Sequence, residues 1–304
     1  MFVAHAETET GAGNRPAATL QKRNKRMFTK NLQKRLTQPI DAFRKLGDTI
    51  DTPHGPLTHI DNGADILAVG HLDWVYWNPR PKITRQFENV RIEKTPQLDD
   101  RLGVWVILDV MRAAGINVDV LLCDSEEVGQ STAQYFETTK RYNWIVEFDR
   151  AGSGAVMYDF ETPEYCEMLE SVGYDVEVGS FTDICNLESL GVAGFNLGVG
   201  YHRQHTKKCY ANLSETLDSF RKFQELHKRY GSEHLEHVPT PTTWWRTPAA
   251  GSSWEPVSEP TDDLALQALQ DEYASDEYGV RYNELYESEK ARIDARIDYD
   301  FNGA

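Results

Sequence analysis

Short apolar runs, each the length of a β-strand, recur along this chain and alternate with amphipathic helical patterns. The runs cover residues 64–69, 118–123, 144–148, 155–158 and 193–197. Strands that alternate with helices are typical of an α/β sheet whose two faces are covered by helices. We therefore predict a three-layer α/β/α fold with a mixed, mostly parallel sheet and helical appendages.

Three segments beside these runs have helical spacing. Residues 102–114 place their apolar side chains on one face and stop at Gly115, which is typical of a helix C-terminus. A second helix is expected from about Gly129. A third follows the last apolar run, where Asn212 and Glu215 have the spacing of a capping box.

The two ends of the chain differ in charge. Residues 1–45 hold 10 basic and 3 acidic side chains, whereas residues 255–304 hold 4 basic and 14 acidic ones. Residues 27–46 are predicted to form an amphipathic helix. This helix either packs on the core or binds an acidic protein partner, such as the tail of another copy in an oligomer. The predicted parts are a partly disordered basic extension (1–45), a core domain (46–238), a Pro/Thr/Trp-rich linker (239–261) and an acidic helical tail (262–304).

Composition and charge argue against nucleic-acid binding and against a membrane span. The formal net charge of −16 argues against nucleic acid, because phosphate binding needs a basic surface. A mean hydropathy of −0.57, without an apolar run near about 18 residues, argues against a membrane span. Residues 1–21 contain no apolar signal segment, and the four cysteines form no Cys-x-x-Cys pair. We therefore expect a cytoplasmic protein.

Polar side chains that can bind metals or move protons follow the apolar runs. They are His71 and Asp73, Asp99 and Asp100, Glu126 and Glu127, Asp149, and finally His202 and His205. In open α/β sheets such groups gather at the carboxyl ends of the strands. Carboxylates brought together there repel one another, so a bound cation is the natural way to hold them. Two histidines with three carboxylates suit Zn²⁺, Mn²⁺ or Co²⁺ rather than Ca²⁺.

The spacing of these residues also indicates roles. Two neighbouring metal ions need a shared carboxylate, and Asp99, which opens the first helix, is best placed to supply it. Asp73 lies two residues after His71 on an extended segment, so it can accept the second ring proton of that histidine. In the pair Glu126–Glu127, one carboxylate can bind metal while the other acts as a base, as metal-assisted hydrolysis requires.

Five motifs occur in a definite order between residues 47 and 230. They are His71-x-Asp73, Asp99-Asp100-Arg101-x-Gly103, Glu126-Glu127, Asp149, and a late His followed by Thr. This order resembles the co-catalytic dizinc peptidases, a clan of aminopeptidases, glutamate-type carboxypeptidases and related deacylases. The resemblance implies two divalent metal ions, expected to be Zn²⁺ with Co²⁺ or Mn²⁺ as alternatives.

The resemblance also implies individual roles. His71 and Asp149 would bind one metal ion, a late histidine would bind the other together with Glu127, and Asp99 would bridge them. Glu126 would be the general base that activates the bridging water. Asp73 is the second residue that we place in the catalytic set.

Spacing narrows the branch of the clan. His71 lies 28 residues before Asp99, and Asp149 lies 56 residues before His205, so neither interval has room for the inserted lid domains of other branches. The remaining branch is single-domain and similar to secreted bacterial leucyl aminopeptidases. We choose His205 over His202 as the late ligand, because the order Tyr, His, Thr in residues 201–206 resembles the terminal motif of the family. The candidates for substrate contact are Asp183, Tyr201 and His202.

These inferences predict a dinuclear zinc hydrolase that cleaves peptide or amide bonds, as an aminopeptidase on short peptides. Two alternatives stay open at this point. One is a dizinc N-acyl amino acid deacylase or carboxypeptidase, because the metal-binding motifs are shared. The other is a catalytically idle peptidase-fold scaffold that binds partners through its charged ends.

Overall fold

A computed structural model describes residues 30–86, 89–179, 181–238 and 290. The chain divides into two compact units, Met1–Thr240 and Pro241–Ala304. The predictions of disorder in residues 1–26, of a linker at 239–261 and of an acidic helical tail at 262–304 lie outside the described residues, apart from residue 290. Among the described helices, none is long and apolar enough to cross a membrane.

The main sheet has seven strands, which are β1 Asp48–Thr52, β2 Gly55–Ile60, β3 Ile66–His71, β6 Asp119–Cys123, β7 Trp144–Arg150, β8 Ala155–Val156 and β9 Gly194–Gly198. They lie side by side in the order β1-β2-β6-β3-β7-β9-β8. The four central strands β6, β3, β7 and β9 are parallel, and the strands at both edges are antiparallel. The predicted mixed α/β sheet is therefore confirmed, although only its centre is parallel.

Within the described residues, five α-helices accompany this sheet. They are α1 at residues 30–37, α2 Ile40–Phe43, α3 Leu98–Trp105, α4 Pro163–Glu170 and α5 Leu213–Tyr230. A 3₁₀ turn extends α2 through Arg44–Leu46, and α3 continues as a π-helix over Val106–Met111. The predicted helix over 102–114 and its end at Gly115, which has a φ of +75°, agree with this course.

Both faces of the main sheet are covered. A Cβ on Gly70 of β3 would contact the Val104 side chain of α3, and Phe148 of β7 packs edge-on against Phe223 of α5. Because β3 and β7 are in parallel register, with Ala68 opposite Val146, these contacts lie on one face. A 3₁₀ helix at Asp183–Leu190 contacts the same strands and follows Thr182, which bonds Glu147 on the opposite face.

A second, antiparallel sheet consists of the strands β4 Lys82–Gln86, β5 Asn89–Glu93, β10 Tyr201–His202 and β11 Tyr210–Asn212. Their order across the sheet is β10-β11-β5-β4. The sequence patterns predict neither this sheet nor the β1–β2 hairpin. The segments are short and half exposed, and they gain their strand structure from pairing with distant residues.

Three local predictions need correction. The helix expected from about Gly129 is wrong, because only a 3₁₀ helix at Thr132–Tyr135 forms there. The single helix expected over 27–46 is interrupted before Ile40, since Pro39 cannot continue α1. The capping box is not formed, because the Asn212 side chain donates to the Glu215 carboxylate instead of capping the backbone.

The described part of the N-terminal segment packs on the core. Leu32, Leu36 and Phe43 are fully buried among the core side chains. Arg35 of α1 forms an ion pair of 2.6 Å with Asp109 of the π-helix Val106–Met111 that continues α3. Of the two interpretations of this helix, the contacts favour packing on the core.

Candidate metal centre

Three ligand-type side chains converge where parallel strands β3 and β7 end. His71 is the last residue of β3, Asp149 lies at the end of β7, and Asp99 lies at the start of α3. The His71 Nε2 atom is 3.3 Å from Asp99 Oδ1 and 3.5 Å from Asp149 Oδ2. The candidate ligand atoms of this first triad all lie within 4.8 Å of one another.

A second triad shares Asp99 with the first. The His205 Nε2 atom lies 3.1 Å from Asp99 Oδ2 and 3.1 Å from Glu127 Oε2. Each oxygen of the Asp99 carboxylate therefore faces a different histidine. This is the arrangement that a carboxylate bridging two neighbouring cations requires.

Asp73 contacts one residue of each triad, namely His71 and Glu127. Its Oδ1 atom lies 3.2 Å from His71 Nδ1, so it can accept the second ring proton and leave Nε2 free to bind a cation. The same carboxylate accepts the backbone N–H groups of Glu126 at 3.3 Å and Glu127 at 3.1 Å. Burial alone would raise the pKa of Asp73, but the hydrogen bond and charge of His71 lower it below its usual value.

The carboxyl groups of Glu126 and Glu127 face different histidines. Glu126 Oε2 lies 3.9 Å from His71 Nε2, and its side chain is 13% exposed. Burial, with further contributions from Asp149 and Asp183 that outweigh the opposing charge of His71, raises the pKa of Glu126 to about 9. Neither triad includes Glu126, so its carboxyl group stays available for proton transfer.

The residues present fit divalent cations. His71 Nε2 is buried and has no hydrogen-bond partner among the described residues, although it faces several carboxylates. Burial would lower the pKa of His71, but Asp149, Asp73 and Asp99 raise it well above the usual value. A site of two imidazoles and several carboxylates is the donor set that zinc, manganese and cobalt accept.

His205 forms the exposed side of the site. Its side chain is 56% exposed, whereas that of His71 is fully buried. Hydrogen bonds to Asp99 and Glu127 raise the pKa of His205 to about 10. Solvent therefore reaches the site from the side of the second triad.

Asp149 is held by hydrogen bonds and close contacts with neighbouring side chains. Tyr201 donates to its Oδ1 atom at 2.9 Å, and Thr182 lies 3.4 Å from Oδ2 while donating to Glu147 at 2.7 Å. The side chain of Asn196 bonds both the N–H and the carbonyl of Asp149. Of these, Tyr201 was itself a predicted site residue and Thr182 lies directly before the predicted Asp183, whereas no sequence pattern singles out Asn196.

Asp100, the second aspartate of the Asp-Asp-Arg motif, is buried in the core and belongs to neither triad. Asp100 is fully buried, and its Oδ1 atom accepts the backbone N–H of Gly103 at 3.0 Å. A Cβ on Gly70 would lie 2.6 Å from the other oxygen of Asp100. Two glycines thus leave the room that this carboxylate needs, and burial raises its pKa well above the usual value.

The three residues expected to contact substrate have different surroundings. Asp183 is fully buried and accepts a hydrogen bond from Ser131. Tyr201 is buried against Asp149. The His202 ring stacks on Tyr210 and lies 2.6 Å from Glu215. These placements favour supporting roles for Asp183 and Tyr201, and His202 does not belong to either triad.

Among solved structures, several peptidases are similar to this chain. No known protein family matches the chain, and no curated protein matches it. The chain is similar to aminopeptidase PepT from Bacillus cereus, with 12% identity over 69% of this chain and 99% of that one and a TM-score of 0.49. It is similar to an aminopeptidase from the archaeon Desulfurococcus kamchatkensis, with 14% identity over 68% and 95% and a TM-score of 0.49.

A tripeptidase from Staphylococcus aureus is also similar, with 10% identity over 67% of this chain and 97% of that one and a TM-score of 0.49. At such identities a likeness concerns the fold alone, so the function has to be argued from the residues of the site.

Proposed function

We propose that this protein is a dinuclear metal-dependent hydrolase that cleaves peptide or amide bonds, acting as an aminopeptidase on short peptides. The observation that carries the proposal is the shared carboxylate of Asp99, whose two oxygens face His71 and His205 at 3.3 and 3.1 Å. A carboxylate that belongs to two histidine-containing triads, with one oxygen facing each histidine, is suited to bind two cations at once.

Each side chain then has a distinct task. His71 and Asp149 would hold one cation, His205 and Glu127 the other, and Asp99 both. When bound, the cations would polarise the scissile carbonyl group and lower the pKa of the attacking water. Zn²⁺ fits the donor set, and Co²⁺ and Mn²⁺ are alternatives.

Glu126 would move the proton. A carboxyl group with a pKa of about 9 is protonated at neutral pH, but the positive charge of bound cations would lower this pKa and favour the carboxylate. In that state the Glu126 Oε2 atom would take a proton from the attacking water and return it to the nitrogen of the leaving amine. Asp73 supports this task, because it holds His71 and also accepts the backbone N–H of Glu126. The surrounding carboxylates favour a substrate that brings its own positive charge, such as the free α-amine of a peptide.

Zinc content and two substitutions test this proposal. The purified protein, supplemented with zinc and dialysed, should hold close to two zinc ions per chain. Glu126→Gln should keep this zinc and lose at least about a hundredfold in kcat, because only the proton acceptor is removed. Asp99→Ala should lose both zinc and activity, whereas Glu137→Gln, an exposed control, should change neither.

The substrates of the assay separate the candidate activities. Aminoacyl amides and N-acylated amino acids would be offered with and without a chelator. Hydrolysis of the amides alone supports the aminopeptidase, and hydrolysis of the N-acylated series alone would point to the deacylase or carboxypeptidase. A zinc-free protein after supplementation, or full activity of Glu126→Gln, would refute the proposed centre.

A further inference from the structure

The loop that carries Glu126 is closed at its base. It begins at Asp124, directly after strand β6, and two hydrogen bonds of 2.9 Å join its ends: the Thr132 N–H donates to the Asp124 carbonyl oxygen, and the Thr132 hydroxyl accepts the Asp124 N–H. Within the loop, the N–H of Gly129 donates to the Glu126 carbonyl oxygen at 2.8 Å. The backbone of the loop is therefore held in place, although residues 124–131 contain neither a strand nor a helix.

Ser125 bends the backbone directly before Glu126. Its φ is +60°, in the left-handed region that residues other than glycine seldom adopt. Its N–H donates to Asp124 Oδ1 at 2.8 Å, and its hydroxyl donates to the carbonyl oxygen of His54, 71 positions away in the chain, at 2.5 Å. A conformation of this kind persists only where its surroundings hold it. The bond to His54 ties the bend to another part of the fold.

The acceptor of this bond lies in the turn of the β1–β2 hairpin, which packs directly on the loop. The turn is itself closed, because the Thr52 hydroxyl donates to the Gly55 carbonyl oxygen at 2.8 Å. Gly55 comes so close that a Cβ on it would lie 3.0 Å from the Cβ atom of Asp124. The His54 ring also lies 5.9 Å, between ring centres, from that of Tyr135. The hairpin turn therefore offers the Ser125 hydroxyl a fixed acceptor.

Ser125 and Asp73 hold the backbone of Glu126 from two sides. The Asp73 carboxylate accepts the N–H groups of Glu126 at 3.3 Å and of Glu127 at 3.1 Å. With both contacts in place, Glu126 Oε2 lies 3.9 Å from His71 Nε2. A displacement of about 1 Å in a group that takes part in the reaction can lower the rate about a hundredfold. The bend at Ser125 is thus coupled to the position of the carboxyl group that would move the proton.

We propose that Ser125 is a positioning residue for Glu126: its hydroxyl, bound to the His54 carbonyl oxygen, fixes the bend from which the Glu126 side chain reaches the attacking water. The inference rests on the proposed hydrolase function. It adds a residue that belongs to neither triad and gives the β1–β2 hairpin a part in the reaction. Loss of the hydroxyl leaves every candidate ligand in the chain, so it should lower kcat rather than zinc content.

The test measures kcat, KM and zinc content of the zinc-loaded full chain with an aminoacyl amide. Ser125→Ala should lower kcat about tenfold, change KM less than about twofold and keep the zinc. Ser125→Gly also removes the hydroxyl but adopts a positive φ without strain, so it should lose the same activity. The control Ser171→Ala removes a hydroxyl that donates to the Met168 carbonyl oxygen at 2.8 Å, and it should leave kcat unchanged.

A double variant shows whether Ser125 acts through Glu126. In the Glu126→Gln protein, adding Ser125→Ala should lower the residual kcat less than about twofold, because the group that the hydroxyl positions is already gone. A general weakening of the fold would act equally in both backgrounds. A further tenfold fall in the double variant would therefore overturn the assignment.

The remaining outcomes separate the two proposals. An active wild-type enzyme whose Ser125→Ala variant keeps wild-type kcat, or loses its zinc, would overturn the role of Ser125 and leave the hydrolase intact. Full kcat in Ser125→Gly alone would do the same, because strain and not the hydroxyl would then explain the loss in Ser125→Ala. A zinc-loaded wild-type protein that hydrolyses neither aminoacyl amides nor N-acylated amino acids would overturn the hydrolase function itself.

Discussion

Replacing Gly103 by alanine adds one methyl group where the structure has no room for it. The new Cβ would overlap Asp100 Oδ1 and the carbonyl oxygen of Phe148, with the carbonyl carbon of that residue at 2.9 Å. Carbon atoms in van der Waals contact are about 3.5–4.0 Å apart. One neighbour is backbone of β7 and the other is a buried carboxylate, so neither can move aside freely.

The expected cost follows from these contacts. Glycine to alanine within a helix would ordinarily stabilise the fold by up to about 1 kcal/mol. Overpacking of a core by one carbon costs about 1–3 kcal/mol, and loss of the Asp100–Gly103 hydrogen bond in a buried site costs about 1–3 kcal/mol more. The net loss is about 3 kcal/mol, which for a unit of this size lowers Tm by about 6–12 °C. Asp99, the residue before Asp100, would be displaced as well.

Thermal unfolding and zinc content would be measured together. Gly103→Ala should unfold at a lower temperature and hold fewer than two zinc ions per chain. Gly115→Ala, beyond the other end of the same helix, is the matched control: its Cβ meets no atom within 4 Å of it among the described residues, but its φ is +75°. It should cost about 1–2 kcal/mol and keep the zinc. A Gly103→Ala protein with wild-type Tm and zinc content would refute this account of the packing.

Two further perturbations address the ligands. Tyr201→Phe removes the hydrogen bond to Asp149 Oδ1 while the aromatic ring still fills the same space. Zinc affinity, measured by competition with a chelator, should therefore fall about 10- to 100-fold, while the Tm of the metal-free protein stays unchanged. An unchanged zinc affinity would show that Tyr201 does not support Asp149 as a ligand. Carboxylates hold the pKa of His71 above its usual value and that of His205 at about 10, so zinc has to displace protons. Adding zinc at pH 7 in weak buffer should release protons, and zinc affinity should fall between pH 8 and pH 5.5; binding without proton release would contradict these shifts.

Much of the fold could be predicted because its central strands and its first long helix follow from local patterns of apolar residues. The apolar runs that become β3, β6, β7 and β9 are recognisable within a few residues, since central parallel strands are apolar on both faces. The rule that functional groups follow such strands then predicts where His71 and Asp149 lie. The helix that Asp99 opens has an equally local signal, with Gly115 at its end.

Other features could not be predicted because distant residues create them. Strand β5 becomes a strand by pairing with β11, with Ala211 opposite Ile92. The expected helix near Gly129 gave way to a short 3₁₀ helix whose Thr132 hydroxyl is held by the carbonyl of Pro56 and the N–H of Asp124. The Glu215 carboxylate bonds the side chains of Asn212 and His202 instead of the backbone N–H that a capping box would place against it.

The sequence alone determined the composition of the candidate centre, because residue type and chain order decide which donors can follow which strand. Only the tertiary structure decided how they meet. It set the two oxygens of Asp99 toward different histidines and gave Asp73 both a ring nitrogen and two backbone N–H groups. It also placed Arg101 so that its guanidinium donates two hydrogen bonds to the carbonyl oxygen of Leu72. Such contacts join residues tens of positions apart, and their geometry depends on packing that no local pattern records.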